Sequence, residues 1–162
     1  MSQQTSYSIY HGRAVQGELY GNEPKEIVTG AVEDAAGIAV GLACTFGTGD
    51  NQVKALEDAN SVVIGATILS QEYEIDYANL ATGAFVVKQD DMISVLRRGY
   101  IYMECEEAVT KGGAVFARHT AGTGSVIGAV RTDADTASAV EVTGWEFAET
   151  TSAAGVALVR IK

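Results

Sequence analysis

Arg98-Gly-Tyr-Ile-Tyr-Met-Glu-Cys-Glu-Glu-Ala-Val-Thr-Lys-Gly-Gly-Ala-Val-Phe-Ala-Arg118 is the stretch from which the fold is read. Successive side chains of a strand point to opposite faces, so Ile101, Met103 and Cys105 share one face while Tyr100, Tyr102, Glu104 and Glu106 share the other. The pattern is that of a half-buried strand. Lys111, Gly112 and Gly113 then provide a turn, and Val115 with Ala117 resumes an inward face against an outward Phe116 and Arg118. Strand, glycine turn, strand is thus the local grammar, and the rest of the chain repeats it.

At 162 residues the chain is about one domain long, and a domain of that size buries roughly 70% of its unfolded surface, enough for a core without metal or disulfides. Eighteen glycines and one proline, Pro24, punctuate short apolar runs, which predicts an all-β sandwich or compact barrel. Eleven basic against twenty-one acidic residues give a net charge of −10. Such a surface repels a phosphate backbone, so nucleic acid is not an expected partner. Nor is a membrane: the longest apolar run, Ala35 to Phe46, is broken by Gly37 and Gly41 and is short of the ~20 residues a spanning helix needs. The polar start Met-Ser-Gln-Gln-Thr-Ser has no basic and apolar signal pattern, so an aqueous interior is expected. Cys44 and Cys105 belong to no CxxC pair and read as small buried hydrophobes, with a disulfide between them as the alternative.

Residues 1–12 read as an N-terminal arm and 13–162 as a single β domain. Short strands are expected at 14–21 and 26–29, a nearly continuous strand covered on both sides at 36–46, and further strands at 62–69, 85–87, 92–96, 126–130, 140–142, 145–147 and 156–161. Residues 53–59 fit a helix or a strand. The acidic, aromatic connection Glu72, Tyr73, Glu74, Asp76 and Tyr77 reads as an exposed contact loop.

Assembling a catalytic site from these residues fails. His11 and His119 are 108 residues apart, neither has a second ligand at metal spacing, and both read as loop or surface residues. Ser125 lies in Gly-Ser-Val-Ile-Gly, which is not a nucleophile elbow. Gly122, Gly124 and Gly128 precede a strand and not the helix a dinucleotide needs. Asp133 and Asp135 lack the glycine and the distant glutamate of a calcium loop and read as solvated. Glu104 and Glu106 on an outer strand face await solvent or a partner's cations. Arg97 and Arg98 form a basic pair suited to bidentate contact with a neighbour's carboxylates, or else to an internal ion pair with Asp90 or Asp91. No enzyme, cofactor or metal is expected.

In their order along the chain, Gly12-Arg-Ala-Val-Gln-Gly, Ala36-Gly-Ile-Ala-Val, Met92-Ile-Ser-Val-Leu-Arg-Arg-Gly-Tyr-Ile-Tyr-Met, Glu107-Ala-Val-Thr-Lys-Gly-Gly-Ala-Val-Phe-Ala-Arg, Gly128-Ala-Val-Arg and Ala153-Ala-Gly-Val-Ala-Leu-Val-Arg-Ile resemble the capsid structural cement, or decoration, proteins of tailed bacteriophages. The tract 52–77 follows the pattern only loosely. The resemblance implies a jelly-roll-like β-sandwich or compact barrel that binds the outside of an HK97-like major capsid protein shell and stabilises the expanded head. It implies a virion protein made in the bacterial host cytoplasm, its partners being the major capsid protein and itself, as a homodimer first and a trimer second. Contacts are expected at Tyr7, Ile9 and Tyr10 of the arm, at Glu72, Tyr73, Glu74, Asp76 and Tyr77, and at Arg97 and Arg98. Two other classes fit the same composition. One is a phage tail or baseplate module, and the other a carbohydrate-binding β-sandwich with Tyr100, Tyr102 and Trp145 as a stacking platform.

Overall fold

The computed structural model describes residues 15–70 and 85–162. Twelve strands make up their regular structure: β1 (Leu19–Tyr20), β2 (Glu26–Val32), β3 (Ile38–Ala39), β4 (Ala43–Phe46), β5 (Gln52–Ala55), β6 (Val63–Thr67), β7 (Val86–Val87), β8 (Met92–Cys105), β9 (Ala114–Arg118), β10 (Val130–Arg131), β11 (Ala139–Phe147) and β12 (Gly155–Ile161). The expected all-β class forms, in its barrel version.

Two closed rings share one long strand. The first half of β8 pairs with β2 and with β6, and β5 and β4 complete the circuit β8-β2-β5-β4-β6. The second half pairs with β12, from Gly155 opposite Cys105 to Ile161 opposite Gly99. From there β11, β9 and β10 lead back to β8, where Val130 lies parallel to Cys105. Closure leaves few open strand edges, which would otherwise template pairing with other chains.

The handover occurs where β8 bends. Glu26 faces Arg98 while Ile27 faces Leu96, so Arg97 is an extra residue in the ladder, and a bulge of this kind bends and twists a strand. Gly99 follows at φ +133°, a conformation that side chains resist. Each half of β8 therefore lines a different core. Ile93 and Val95 pack with Val32, Val40, Cys44 and Val53 inside the first ring. Ile101, Met103 and Cys105 pack with Val115, Ala117, Phe147 and Val159 inside the second. Leu56, Ala66 and Leu96 of the first ring join the second cluster, so the seam between rings is apolar.

Two local expectations are corrected. The apolar run 36–46 is two strands, β3 and β4, because Gly41 turns at φ +70° with Gly17 and Gln16 packed where a Cβ would sit. The turn is tied to β6, where Thr67 accepts the Gly41 N–H through its carbonyl and its hydroxyl donates to Ala39. At 126–130 only Val130 is strand, paired to β9 along with Arg131. Gly112 and Gly113 turn the chain between two strands as expected, and in the ring β12 and β11 lie between β8 and β9 on one side and β10 on the other. Residues 53–59 resolve to strand over Gln52–Ala55.

Candidate functional site

The outer face of β8 carries the most distinctive surface among the described residues. Alternation turns Arg98, Tyr100, Tyr102 and Glu104 outward, and neighbouring strands add to the row. Antiparallel β12 places Arg160 opposite Tyr100, and β1 places Tyr20 opposite Tyr100 on the other flank. Tyr20 meets the rings of Tyr100 and Tyr102 edge-on at 6.4 and 6.0 Å, and the Arg160 guanidinium lies 5.7 Å from the Tyr100 centroid, within cation–π range. Glu146 on β11 accepts from Arg160 at 3.1 Å and from Lys162 at 2.7 Å. These hydrogen bonds, Lys162 first, hold its carboxyl below the usual glutamate range.

Arg98, Tyr100, Arg160 and Lys162 line an open cleft of about 240 Å³ whose floor includes Gly99 and Ile161. A second depression shares Tyr100 and Arg160 and adds Lys111. Arg98 and Lys111 are exposed and pair with no acidic residue among those described.

Of the residues expected at contacts, Tyr7, Ile9, Tyr10, Glu72, Tyr73, Glu74, Asp76 and Tyr77 lie outside the described residues. Arg97 is exposed and reaches Glu26 at 3.6 Å. The alternative of an ion pair with Asp90 or Asp91 is not met: both precede β8, and the first half of the strand separates them from the bulge. Arg98 lies in the cleft. The stacking platform is not assembled: Trp145 is buried in the second core, on the opposite face of the sheet from Tyr100 and Tyr102.

A second charged cluster was hidden from sequence reasoning. Arg118, read as an outward residue, has a side chain only 4% exposed. Its Nε and Nη2 donate to the two oxygens of Glu106 at 2.5 and 2.8 Å, Nη2 also reaches Asp135, and Nη1 donates to the Thr120 carbonyl. The Glu106 hydrogen bonds lead in raising its pKa further above the ordinary arginine value. Arg131 donates to Glu106 at 2.9 Å and to Asp133 at 2.8 Å, so the acidic loop read as solvated is clamped. Asp135, Thr136 and Ala137 all have positive φ, a run of left-handed residues that needs such external restraint. The spacing Arg131-x-Asp133-x-Asp135 was the one available signal.

His119, read as a loop or surface residue, is buried, with Nδ1 3.0 Å from the Thr120 hydroxyl. Cys44 and Cys105 are free and buried in different cores. Among the described residues no three His, Cys, Asp or Glu side chains gather to hold a metal, and no helix is long and apolar enough to cross a membrane.

Comparison with known proteins adds what geometry does not. The model of one family, described as structural cement protein (E217 gp24/Pam3 gp6), matches residues 3–162. A chain from the capsid of Myoviridae phage XM1 superposes with a TM-score of 0.75 at 19% identity, covering 100% of this chain and 98% of that one. The head fiber gp8.5 N base of bacteriophage phi29 matches at a TM-score of 0.43 and 9% identity, over 86% of this chain and 95% of its own. No curated protein matches.

Proposed function

The chain belongs to the structural cement protein family, and from that premise we propose that it clamps the outer surface of an expanded, HK97-like shell by bridging neighbouring major capsid subunits. Its role as a phage capsid cement protein follows from the family, whose match spans nearly the whole chain, and that match is the observation that carries the reading. The finer proposal concerns the shell, the side and the partner.

The physics supports a clamp. Two closed rings fused along one strand make a stiff body with an apolar seam; stiffness matters because a bridge resists separation of its anchors only when it does not stretch. A self-associating cement that engages several capsid subunits gains by effective concentration, so modest contacts become lasting. We assign capsid or subunit contacts to Arg97 and Arg98, to the arm around Tyr7, Ile9 and Tyr10, and to the acidic tyrosine segment 72–77, with a homodimer as the first assembly and a trimer as the second. Synthesis in the host cytoplasm and display on the capsid exterior complete the proposal.

Co-sedimentation tests it. Purified protein is mixed with expanded heads stripped of their decoration, with unexpanded procapsids and with isolated tails. Saturable binding to expanded heads alone is expected; binding confined to tails would move the protein to a tail module and overturn the proposal.

A further inference from the structure

Around Tyr100, the outer face of β8 and β12 holds a charge opposite to that of the protein as a whole. Lys25, Arg98, Lys111, Arg160 and Lys162 surround Tyr20 and Tyr100, with Glu23 and Glu146 among them, while Glu26, opposite Arg98, is paired to Arg97. With that pair counted, there are six cations and three anions. Subtracting them from the eleven and twenty-one of the whole chain leaves five cations and eighteen anions elsewhere. A basic patch of this kind in a chain of net charge −10 is a local reversal of the field, and a local reversal attracts what the remainder repels.

Its chemistry matches a protein contact. Tyrosine and arginine are the residues enriched at the energetic centres of interfaces. Here the tyrosines pack edge to face and Arg160 lies over Tyr100, so the anchors are held in place before any partner arrives, which lowers the entropy lost on docking. The cleft beside them is floored by Gly99 and Ile161 and opens between Arg98, Arg160 and Lys162. Arg160 and Lys162 are already committed in part to Glu146. Arg98 and Lys111 are not committed to any described carboxylate, so they can bind an incoming one without first breaking a pair.

We infer that this basic tyrosine face is the docking surface for an acidic segment of the capsid shell, with aspartate or glutamate side chains seated between Arg98, Arg160 and Lys162. The inference rests on the cement reading and specifies its partner chemistry. A two-fold dimer packed through this face would set a net charge of +3 against another of +3, since the same patch faces itself across a two-fold. The face is therefore directed to the shell and self-association lies elsewhere. A polynucleotide would also bring negative charge, but a long phosphate backbone would have to run past the acidic remainder of the surface, whereas a short acidic peptide segment need not.

The test uses the full chain and expanded, undecorated heads. Arg98→Glu is compared with Lys88→Glu, an exposed cation at the start of the first ring, so both variants carry the same net charge. Arg98→Glu is expected to weaken head binding about tenfold or more at low salt, Lys88→Glu to leave it within about twofold, and added salt to weaken the wild type toward the Arg98→Glu level. Sedimentation in the absence of heads is expected to give one oligomeric state for all three. Lys111→Glu, on the other side of Tyr100, provides the same comparison should Arg98→Glu fold poorly. Equal head binding by Arg98→Glu and Lys88→Glu overturns the inference while leaving the cement role intact. A changed oligomeric state in Arg98→Glu overturns it in favour of a contact between copies. Salt-sensitive binding of a DNA duplex by the wild type, lost in Arg98→Glu, overturns it in favour of nucleic acid. Failure of the wild type to bind heads at all refutes the cement reading itself.

Discussion

Glu106→Ala provides the sharpest probe of what holds the second ring's loops. The substitution removes the carboxylate that Arg118 grips through Nε and Nη2 and that Arg131 reaches at 2.9 Å. Arg118 is left with Asp135 and the Thr120 carbonyl, in a place where its side chain is 4% exposed and water cannot fully substitute. Removing one partner of a buried pair destabilises by about 3–5 kcal/mol. Since Glu106 is itself partly wet and Asp135 remains, the lower end, about 3 kcal/mol, is the expectation. In a protein of this length that lowers the melting temperature by about 6–12 °C. Calorimetry and urea unfolding read it directly. Glu107→Ala is the control: its carboxylate accepts from Thr132 and lies 3.7 Å from Arg131 on a more exposed site, so about 1 kcal/mol or less is expected. In a double-mutant cycle, adding Arg118→Met to Glu106→Ala should recover part of the loss, because no charge is then left stranded. Equal losses for Glu106→Ala and Glu107→Ala, or a recovery of zero, would refute the claim that the network is structural.

Three other outcomes follow from the geometry. Gly41→Ala forces a side chain into the left-handed region and against the Gly17 backbone nitrogen; a loss of about 2 kcal/mol or more in urea unfolding is expected, and an unchanged midpoint would show that the β3–β4 turn is not constrained. Glu104 has its pKa raised, first by desolvation and then by Glu106. The folded state therefore holds that proton more tightly than the unfolded chain does, and the group opposes folding once pH rises through its folded value. Glu104→Gln should accordingly raise the melting temperature near neutral pH and leave it unchanged in acid below the ordinary carboxylate range; the reverse pattern would contradict the sign. Burial pushes the Cys44 thiol up to about 12 and raises that of Cys105, so a thiol-specific reagent near neutral pH should label neither until the protein unfolds. Labelling of the native protein at the rate of a free thiol would place one of them at the surface.

Legibility in the sequence tracked how local the deciding physics was. The alternation of Ile101, Met103 and Cys105 was readable because each residue's face is set by its neighbours two positions away. The break at Gly41 was visible as a glycine but not as a chain reversal, since what makes it one is the approach of Gly17 and the hydrogen bonds to Thr67, distant in sequence. Arg118 looked outward because alternation assigns faces without saying what covers them; the loop bearing Asp135 folds over it. His119 was misjudged for the same reason. Conversely, Arg97 and Arg98 stood out by composition alone, and one of them lies in the cleft on the β8 face.

By itself the sequence determined the all-β class, the inward faces of the main strands, the exclusion of a nucleic-acid-like charge balance and, through the order of its short motifs, the cement family. Those properties depend on side-chain periodicity and composition, which are encoded residue by residue. Tertiary structure alone decided that the strands close into two rings sharing β8. It also decided that two arginines are clamped by four carboxylates from different loops, and that scattered cations of β8, β12 and the 106–113 connection converge on one tyrosine-lined face. Each of these depends on which distant segments become neighbours, and that is settled by long-range strand pairing, to which a local pattern in the chain is blind.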